Sequence, residues 1–168
     1  MKFSAQEEYG LRCLLAVARA PKGTTVTIPE IAEQEQLSEP HVAKLLMILR
    51  KDEYVKSVRG HSGGYALARP PEEMRIGDVL ASLGGRLYAE GFCDRHSGLA
   101  HACVHESECA VQFLWSDIQE AVDAVVDSMT LKDLMERTPR PIRKIELNAA
   151  PTKDWRQRAL KDLAEQAS

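Results

Sequence analysis

The chain of 168 residues is long enough to form one domain with a hydrophobic core and one additional element. No run of about 18 apolar residues occurs, which argues against a membrane-spanning helix. The N-terminal residues become acidic at Glu7 and Glu8, where a secretory signal peptide would need an apolar run. We therefore expect a cytoplasmic protein that does not insert into a membrane.

The net charge of −3 conceals an uneven distribution along the chain. Residues 41–69 contain six basic and two acidic side chains, residues 70–136 contain four basic and thirteen acidic ones, and residues 137–161 contain eight basic and two acidic ones. A basic stretch beside an acidic body is typical of a protein in which one module grips phosphates. Solvated surface charge is the alternative interpretation, and the charge pattern alone does not separate the two.

Three helices are predicted before the first glycine-rich turn. The first begins after Ser4, which with Glu7 forms a capping box, and its apolar side chains recur at helical spacing. A second helix follows the potential cap Thr27, and a third follows Ser38. Two short helices joined by a tight turn match a helix-turn-helix, whose second helix lies in the major groove of DNA. A plain helical hairpin is the alternative interpretation.

A predicted β-hairpin follows the third helix. Residues 54–59 form a strand-like run, residues 60–64 a glycine-rich turn, and residues 65–68 the returning strand. Basic Arg59 and His61 near the tip predict a wing that reaches a phosphate or the minor groove, so the expected fold is mainly α with a small β-hairpin wing. A nucleotide-binding loop is the alternative for the glycines, but no G-x-x-x-x-G-K-[ST] motif is present.

These segments resemble the Rrf2 family of winged-helix transcription regulators. The matching residues are Ile31-Ala32-Glu33, Ser38-x-x-His41-Val42-x-Lys44-Leu45-Leu46, Leu49-Arg50-Lys51, Val55-x-Ser57-x-Arg59-Gly60-x-x-Gly63-Gly64-Tyr65-x-Leu67-Ala68-Arg69-Pro70 and Ile76-Gly77-Asp78-Val79-Leu80. The resemblance extends to about Leu134. The family includes iron–sulfur cluster regulators, nitric-oxide-sensing repressors and cluster-free relatives that govern cysteine metabolism.

The resemblance implies binding to duplex DNA, and the residues expected to carry it are Ser38, His41, Lys44, Arg59, His61, Gly63, Gly64 and Tyr65. Gly63 and Gly64 permit close backbone approach and positive φ. Two residues depart from the family pattern. His41 replaces the usual tyrosine, which could change the base preference, and Glu53 replaces a glycine at a turn that favours positive φ.

Three of the four cysteines cluster in a region without periodicity, spaced C-x9-C-x5-C at Cys93, Cys103 and Cys109. Thiolates are soft ligands that suit iron–sulfur clusters and zinc. Cluster-binding family members carry three cysteines here, with a first gap that is four residues shorter. The resemblance therefore implies an iron–sulfur cluster, of two-iron or four-iron type. A zinc site and a metal-free thiol–disulfide switch are the alternatives. Cys13, among apolar residues of the first helix, is expected to be a small buried hydrophobe.

The fourth ligand of such a cluster is left open by the sequence. Glu8 matches a position where cluster-sensing members of the family carry an acidic ligand, given by the partner subunit. Nearby histidines are the alternatives, and these are His96, His101 and His105. Gln112 stands where other members have a histidine ligand, so that mode of ligation is not expected.

A long amphipathic helix is predicted over residues 110–129, with an apolar face and an acidic face. The winged-helix domain already has a core, so the apolar face needs another partner, and a second copy of the chain gives a homodimer that matches a palindromic operator. The family dimerises through this helix. Packing of the helix back onto its own domain is the alternative.

The expected organisation has four segments. They are a DNA-binding domain over residues 1–84, a cysteine-containing loop over 85–109, a dimerisation helix with a short following helix over 110–136, and a basic extension over 137–168. The leading hypothesis is a repressor whose operator affinity depends on a cluster that senses redox state, nitric oxide or iron. The alternative is a cluster-free regulator of the same fold, switched by thiol oxidation or a protein partner. No nucleophile–base arrangement or nucleotide fingerprint indicates an enzyme.

Overall fold

The computed structural model describes residues 4–60, 63–88, 91–92 and 109–137. Those residues form one compact unit that ends at Arg137. Its elements in chain order are α1 (Ala5–Ala18), α2 (Ile28–Glu35), α3 (Glu39–Lys51), β1 (Val55–Val58), β2 (Gly64–Leu67), a 3-10 turn (Pro71–Glu73), α4 (Ile76–Gly84), α5 (Ala110–Val126) and α6 (Leu131–Glu136). The architecture confirms the predicted fold class, mainly α with a small β-hairpin. Within these residues, every helix is too short or too polar to cross a lipid bilayer.

Capping boxes set the start of three helices. In each box the cap hydroxyl accepts the backbone N–H of the third helical residue, whose carboxylate accepts the backbone N–H of the cap. The pairs are Ser4 with Glu7, Thr27 with Glu30, and Thr130 with Asp133. The first box confirms the predicted start of α1.

α1 lies at the centre of the core, in contact with α2, α3, α4, β2 and α6. Its Cys13 and Leu14 are fully buried, and α3 turns a continuous apolar face toward them. Leu131 at the start of α6 is also fully buried in this core, and its backbone N–H donates to the carbonyl of Met74 over 2.8 Å. The segment after α5 therefore belongs to the same hydrophobic core as the helix-turn-helix.

α5 is shorter than predicted, because it ends at Val126 rather than at Met129. The carbonyl of Met129 accepts the backbone N–H of Ile76 over 2.9 Å, and Arg75 forms an antiparallel bridge with Thr130. Backbone groups beyond Val126 thus pair with the segment before α4, which competes with continuation of the helix.

The wing is an antiparallel hairpin in which Val55 pairs with Leu67 and Val58 with Gly64. Tyr65 also exchanges two backbone hydrogen bonds with Val26, at 3.0 and 2.8 Å, so β2 lies between β1 and the segment before α2. This second pairing fixes the wing to the body of the domain.

The wing glycines act differently from one another. The positive φ lies at Gly60 (124°), and neither Gly63 nor Gly64 has it. A Cβ on Gly63 would lie 2.8 Å from the carbonyl oxygen of Gly60, and one on Gly64 would lie 2.7 Å from that of Val26. Close backbone approach is therefore the reason for glycine at both positions, as expected, whereas the expected positive φ belongs to Gly60.

Candidate nucleic-acid interface and its connection to the cysteine region

α2 and α3 are joined by the tight turn of a helix-turn-helix. Gln36 ends α2 in the left-handed conformation with φ of 55°, and the backbone N–H of Leu37 donates to the carbonyl of Ala32 over 2.9 Å. Ser38 stands at the N-cap of α3, but its side chain makes no capping hydrogen bond. Its carbonyl instead accepts the backbone N–H groups of His41 and Val42, each over 3.0 Å. The side chain of Ser38 is exposed at the start of α3.

The face of α3 that turns away from the core is basic. Val42, Leu45, Leu46 and Leu49 are buried, while Lys44, Arg50 and Lys51 on the other side are exposed. Exposed Met47 lies among these cations. Lys44 thus lies on an accessible surface, and its contact with a phosphate backbone stays a prediction.

A basic cleft separates the C-terminal half of α3 from the wing. It has a volume of about 430 Å³, and the side chains that line it include Arg50, Lys56, Ser57 and Arg69. The guanidinium of Arg69 lies 4.8 Å from the ring centroid of Tyr54, a cation–π distance that fixes Arg69 at the cleft wall. Arg59 at the wing tip is exposed, and His61 lies outside the described residues.

α1 clamps both helices of the helix-turn-helix. The Nε of Arg12 donates to the carboxylate of Glu35 over 2.8 Å, and its terminal nitrogen donates to the carbonyl of Glu35 over 2.8 Å, at the last residue of α2. The hydrogen bond to Glu35 is the main reason that the pKa of Arg12 lies above its usual value. The same guanidinium lies 5.5 Å from the ring centroid of Tyr9.

Tyr9 extends this contact to α3. Its ring meets the ring of His41 edge-on, with centroids 5.6 Å apart and planes at 88°. His41 is half-buried on the flank of α3 that faces α1, so this position favours packing against Tyr9 over contact with a base edge. Glu8, by contrast, is exposed, and it lies one helical turn before Arg12.

The N-terminal end of α1 lies beside the end of α4, where the cysteine-containing segment starts. The side-chain amide of Gln6 donates to the carbonyl of Leu83. Beyond α4, Arg86 pairs with Asp123 of α5 over 2.6 Å, and the backbone N–H of Tyr88 donates to Gln119 over 2.8 Å. Residues that precede the cysteines are therefore fixed between α1 and α5.

Of the cysteines expected to bind a cluster, the structure describes Cys109. It is the half-buried N-cap of α5, carries a free thiol, and stands at the helix end that favours negative charge. Cys93, Cys103 and the three alternative histidines lie outside the described residues. Within the described ranges, no three His, Cys, Asp or Glu side chains are close enough together to hold a metal ion. Cys13 is fully buried, as expected, and burial raises the pKa of its thiol to about 11.

α5 exposes much of its apolar surface. Gln119 and Asp123 face the segment after α4, whereas five large apolar side chains of the helix are exposed: Val111, Phe113, Leu114, Trp115 and Val125. At 100° per residue, Val111, Leu114, Ile118 and Val125 share one stripe. That stripe is an unpartnered apolar surface within the described chain.

The sequence alone does not predict that Arg12, Glu35 and Tyr9 form a connected group, or that Met47 is exposed. The spacing of Glu8 and Arg12 indicates that these two side chains lie on one face of α1, because residues four apart share a helix face. The partner of Arg12 lies 23 positions away, and no local pattern reveals such a contact.

The chain matches the model of a known family over residues 3–137, and the family is described as Rrf2, iron-dependent transcriptional regulator. The structure of the global cysteine regulator CymR of B. subtilis superposes with a TM-score of 0.67 at 31% identity, covering 83% of this chain and 99% of that one. The structure of T. potens IscR gives 0.65 at 29% identity, covering 84% and 94%. The regulator NsrR of Geobacillus kaustophilus is 31% identical over 136 residues, 81% of this chain and 90% of its own.

Proposed function

The chain belongs to the Rrf2 family of transcription regulators, and from this premise we propose that it is a homodimeric repressor whose affinity for a palindromic operator depends on an iron–sulfur cluster. The resemblance covers cluster-binding and cluster-free members, and the matched relatives include a global cysteine regulator. The identity of the signal therefore has to be argued from the residues of this chain.

The observation that carries the proposal is the position of α1. Its Arg12 and Tyr9 hold the end of α2 and the flank of α3. In the first turn of the same helix, Gln6 donates to the carbonyl of Leu83, near the start of the cysteine segment. Glu8 lies between these contacts and is exposed. α1 thus contacts both the segment that leads to the cysteines and the helix-turn-helix of α2 and α3, which we call the reading head. A rigid helix with both contacts joins a signal site to this reading head. In this proposal, α1 supplies the physical link between two sites that allostery requires.

The donor set suits an iron–sulfur cluster. Cys93, Cys103 and Cys109 offer three soft thiolates, and Glu8 offers a harder and weaker carboxylate as the fourth ligand. When bound, such a cluster supplies a redox- and nitric-oxide-sensitive centre. Cys13 does not belong to the set, because it is fully buried in the core and protonated at neutral pH.

Glu8 carries the coupling in this proposal. A bond from Glu8 to the site of the partner subunit ties α1 of one reading head to the opposite arm of the dimer. Release of Glu8 leaves its carboxylate free to interact with Arg12 one turn later, and Arg12 is the residue that holds α2. Movement of α1 then shifts α2 and α3 relative to the DNA.

The ligand assignment is tested by alanine substitution and anaerobic reconstitution with iron and sulfide. Replacement of Cys93, Cys103 or Cys109 should abolish or destabilise the visible absorption and lower the iron and sulfide counts, whereas Cys13→Ala should keep them. Glu8→Ala should retain much of the cluster but remove its effect on DNA affinity. A Glu8→Ala protein that responds as fully as wild type would assign the coupling to His96, His101 or His105 instead.

A cluster-free thiol switch is the second candidate, because the Cys109 thiol is free and only half-buried. In that case, reconstitution leaves the wild-type protein colourless, and mild oxidation changes DNA affinity through a disulfide that mass spectrometry detects. A protein that copurifies with one zinc per chain would indicate the structural metal site instead.

A further inference from the structure

Met47 occupies the centre of the outward face of α3. It is 57% exposed, and α3 has no other exposed large hydrophobic side chain. At 100° per residue, the buried residues of α3 lie about 100° or more from Met47 around the helix axis. The core therefore fixes which side of α3 points outward, and Met47 stands at its middle.

The surroundings of Met47 divide into an apolar strip and cationic flanks. Pro40 and Ala43 lie about 20° and 40° from it around the axis, whereas Lys44, Lys51 and Arg50 lie about 40° to 60° away, with the two lysines on one side and the arginine on the other. Long cationic side chains at the edges of such a face reach phosphates, while its centre meets the base edges.

A single exposed apolar residue on a protein surface needs no explanation by itself. Met47 differs in its placement, because it extends the apolar strip that Pro40 and Ala43 begin on α3. This helix is the second one of the helix-turn-helix, which enters the major groove in proteins of this kind. None of the three side chains can donate a hydrogen bond to a base edge. The thymine C5-methyl is the apolar group that base pairs present in the major groove.

We propose that Met47, together with Ala43, determines operator specificity by packing against a thymine methyl group in each half-site. The inference rests on the proposed DNA-binding function and deepens it, because it names a chemical feature of the operator. Lys44, Lys51 and Arg50 then supply affinity without sequence information, whereas Met47 supplies discrimination with little electrostatic contribution.

The test begins with selection of duplexes from a randomised DNA library by the full-length protein, cluster-loaded and cluster-free. The selected duplex is then compared with versions in which deoxyuridine replaces thymine at one symmetric pair of positions at a time, which removes only the methyl groups. For one such pair we expect the wild type to lose roughly tenfold in affinity. Two buried methyl groups are removed, one in each half-site, and each contributes about three- to fourfold to the affinity. Met47→Ala should bind the thymine and deoxyuridine duplexes alike.

Lys44→Ala is the matched control, because it lies one turn from Met47 on the same face. It should lower the affinity for every duplex and retain the difference between thymine and deoxyuridine. A wild type that is indifferent to every deoxyuridine replacement, or a Met47→Ala protein that keeps the full difference, would overturn the inference while sequence-specific binding stands. Selection that yields no preferred sequence would overturn the proposed function as well.

Discussion

Cys13 shows how burial decides the chemistry of a side chain. The thiol lies in the core of the domain, and burial raises its pKa from 9.0 to about 11. A thiol of this kind is a poor metal ligand and a poor nucleophile at neutral pH, since both roles need the thiolate. The same residue type thus serves packing at Cys13 and, in our proposal, ligation at Cys109.

The raised pKa of Cys13 makes stability dependent on pH in the alkaline range. Unfolding frees a thiol that ionises above about pH 9, while the folded protein holds the proton up to about pH 11. The stabilisation is complete below pH 9 and is lost as the pH rises toward 11, by about 1 to 3 kcal/mol. Urea unfolding of wild type and Cys13→Ala at pH 8 and 10.5 measures this loss in the free energy of unfolding. An equal decline in both proteins would contradict this assignment.

Substitution of Arg12 tests the proposed coupling path from the cysteine site through α1 to α2. Arg12→Lys keeps the charge but cannot keep both hydrogen bonds to Glu35 in the same geometry. Because Arg12 is 38% exposed, we expect a stability loss of at most about 1 kcal/mol.

The functional loss should be larger, since DNA affinity in Arg12→Lys should no longer follow cluster loading. Arg19→Lys, at the exposed end of α1, is the matched control and should behave as wild type. Titration of operator DNA with cluster-loaded and cluster-free forms checks both variants. A full response in Arg12→Lys would exclude the clamp from the path.

At the scale of elements, the sequence predicted what depends on local chemistry. The start of α1 follows from the pair Ser4 and Glu7, and the tight turn after α2 follows from the order of caps and apolar residues. The family resemblance also predicted a position of positive φ at Glu53, and its φ is 57°. Each of these features is decided within a few residues.

The features that the sequence did not predict depend on distant partners. α5 ends early because Met129 pairs with Ile76, and Tyr65 forms an isolated antiparallel bridge with Val26. Ser38 is a local exception, because its side chain does not cap α3 and its carbonyl instead accepts the backbone N–H of His41. The exposed position of Met47 follows only once the core shows which face of α3 it covers.

The exposed apolar stripe of α5 is the predicted interface between two copies of the chain. Leu114→Asp and Val125→Asp replace side chains that are 52% and 39% exposed in the single chain, so each should leave the fold intact. If the stripe holds two copies of the chain together, each substitution places a charge in a buried apolar interface and should give monomers. Ala124→Asp, exposed on the acidic side of α5, is the matched control and should remain dimeric. Light scattering that shows dimers for both stripe variants would move the interface elsewhere.

For the whole chain, basic stretches over residues 41–69 and 137–161 lie on either side of an acidic stretch over 70–136 in the sequence. Association with duplex DNA should weaken steeply as salt rises, because each neutralised phosphate releases counterions. Arg59→Ala at the wing tip should reduce affinity by roughly 1 to 3 kcal/mol if it makes a specific groove contact. Unchanged affinity in a titration of Arg59→Ala would remove the wing from DNA recognition.

In the proposed mechanism, the state of the cysteine site sets the affinity of the helix-turn-helix for DNA. This dependence is tested most directly by titrating one selected operator duplex with the wild-type protein, reconstituted anaerobically with iron and sulfide, and with the same preparation after removal of the cluster. We expect affinities that differ roughly five- to 150-fold, the usual range of allosteric coupling. A protein with Cys93, Cys103 and Cys109 replaced by alanine should have the cluster-free affinity under both conditions. Equal affinity of the cluster-loaded and cluster-free wild-type protein would contradict the proposed mechanism.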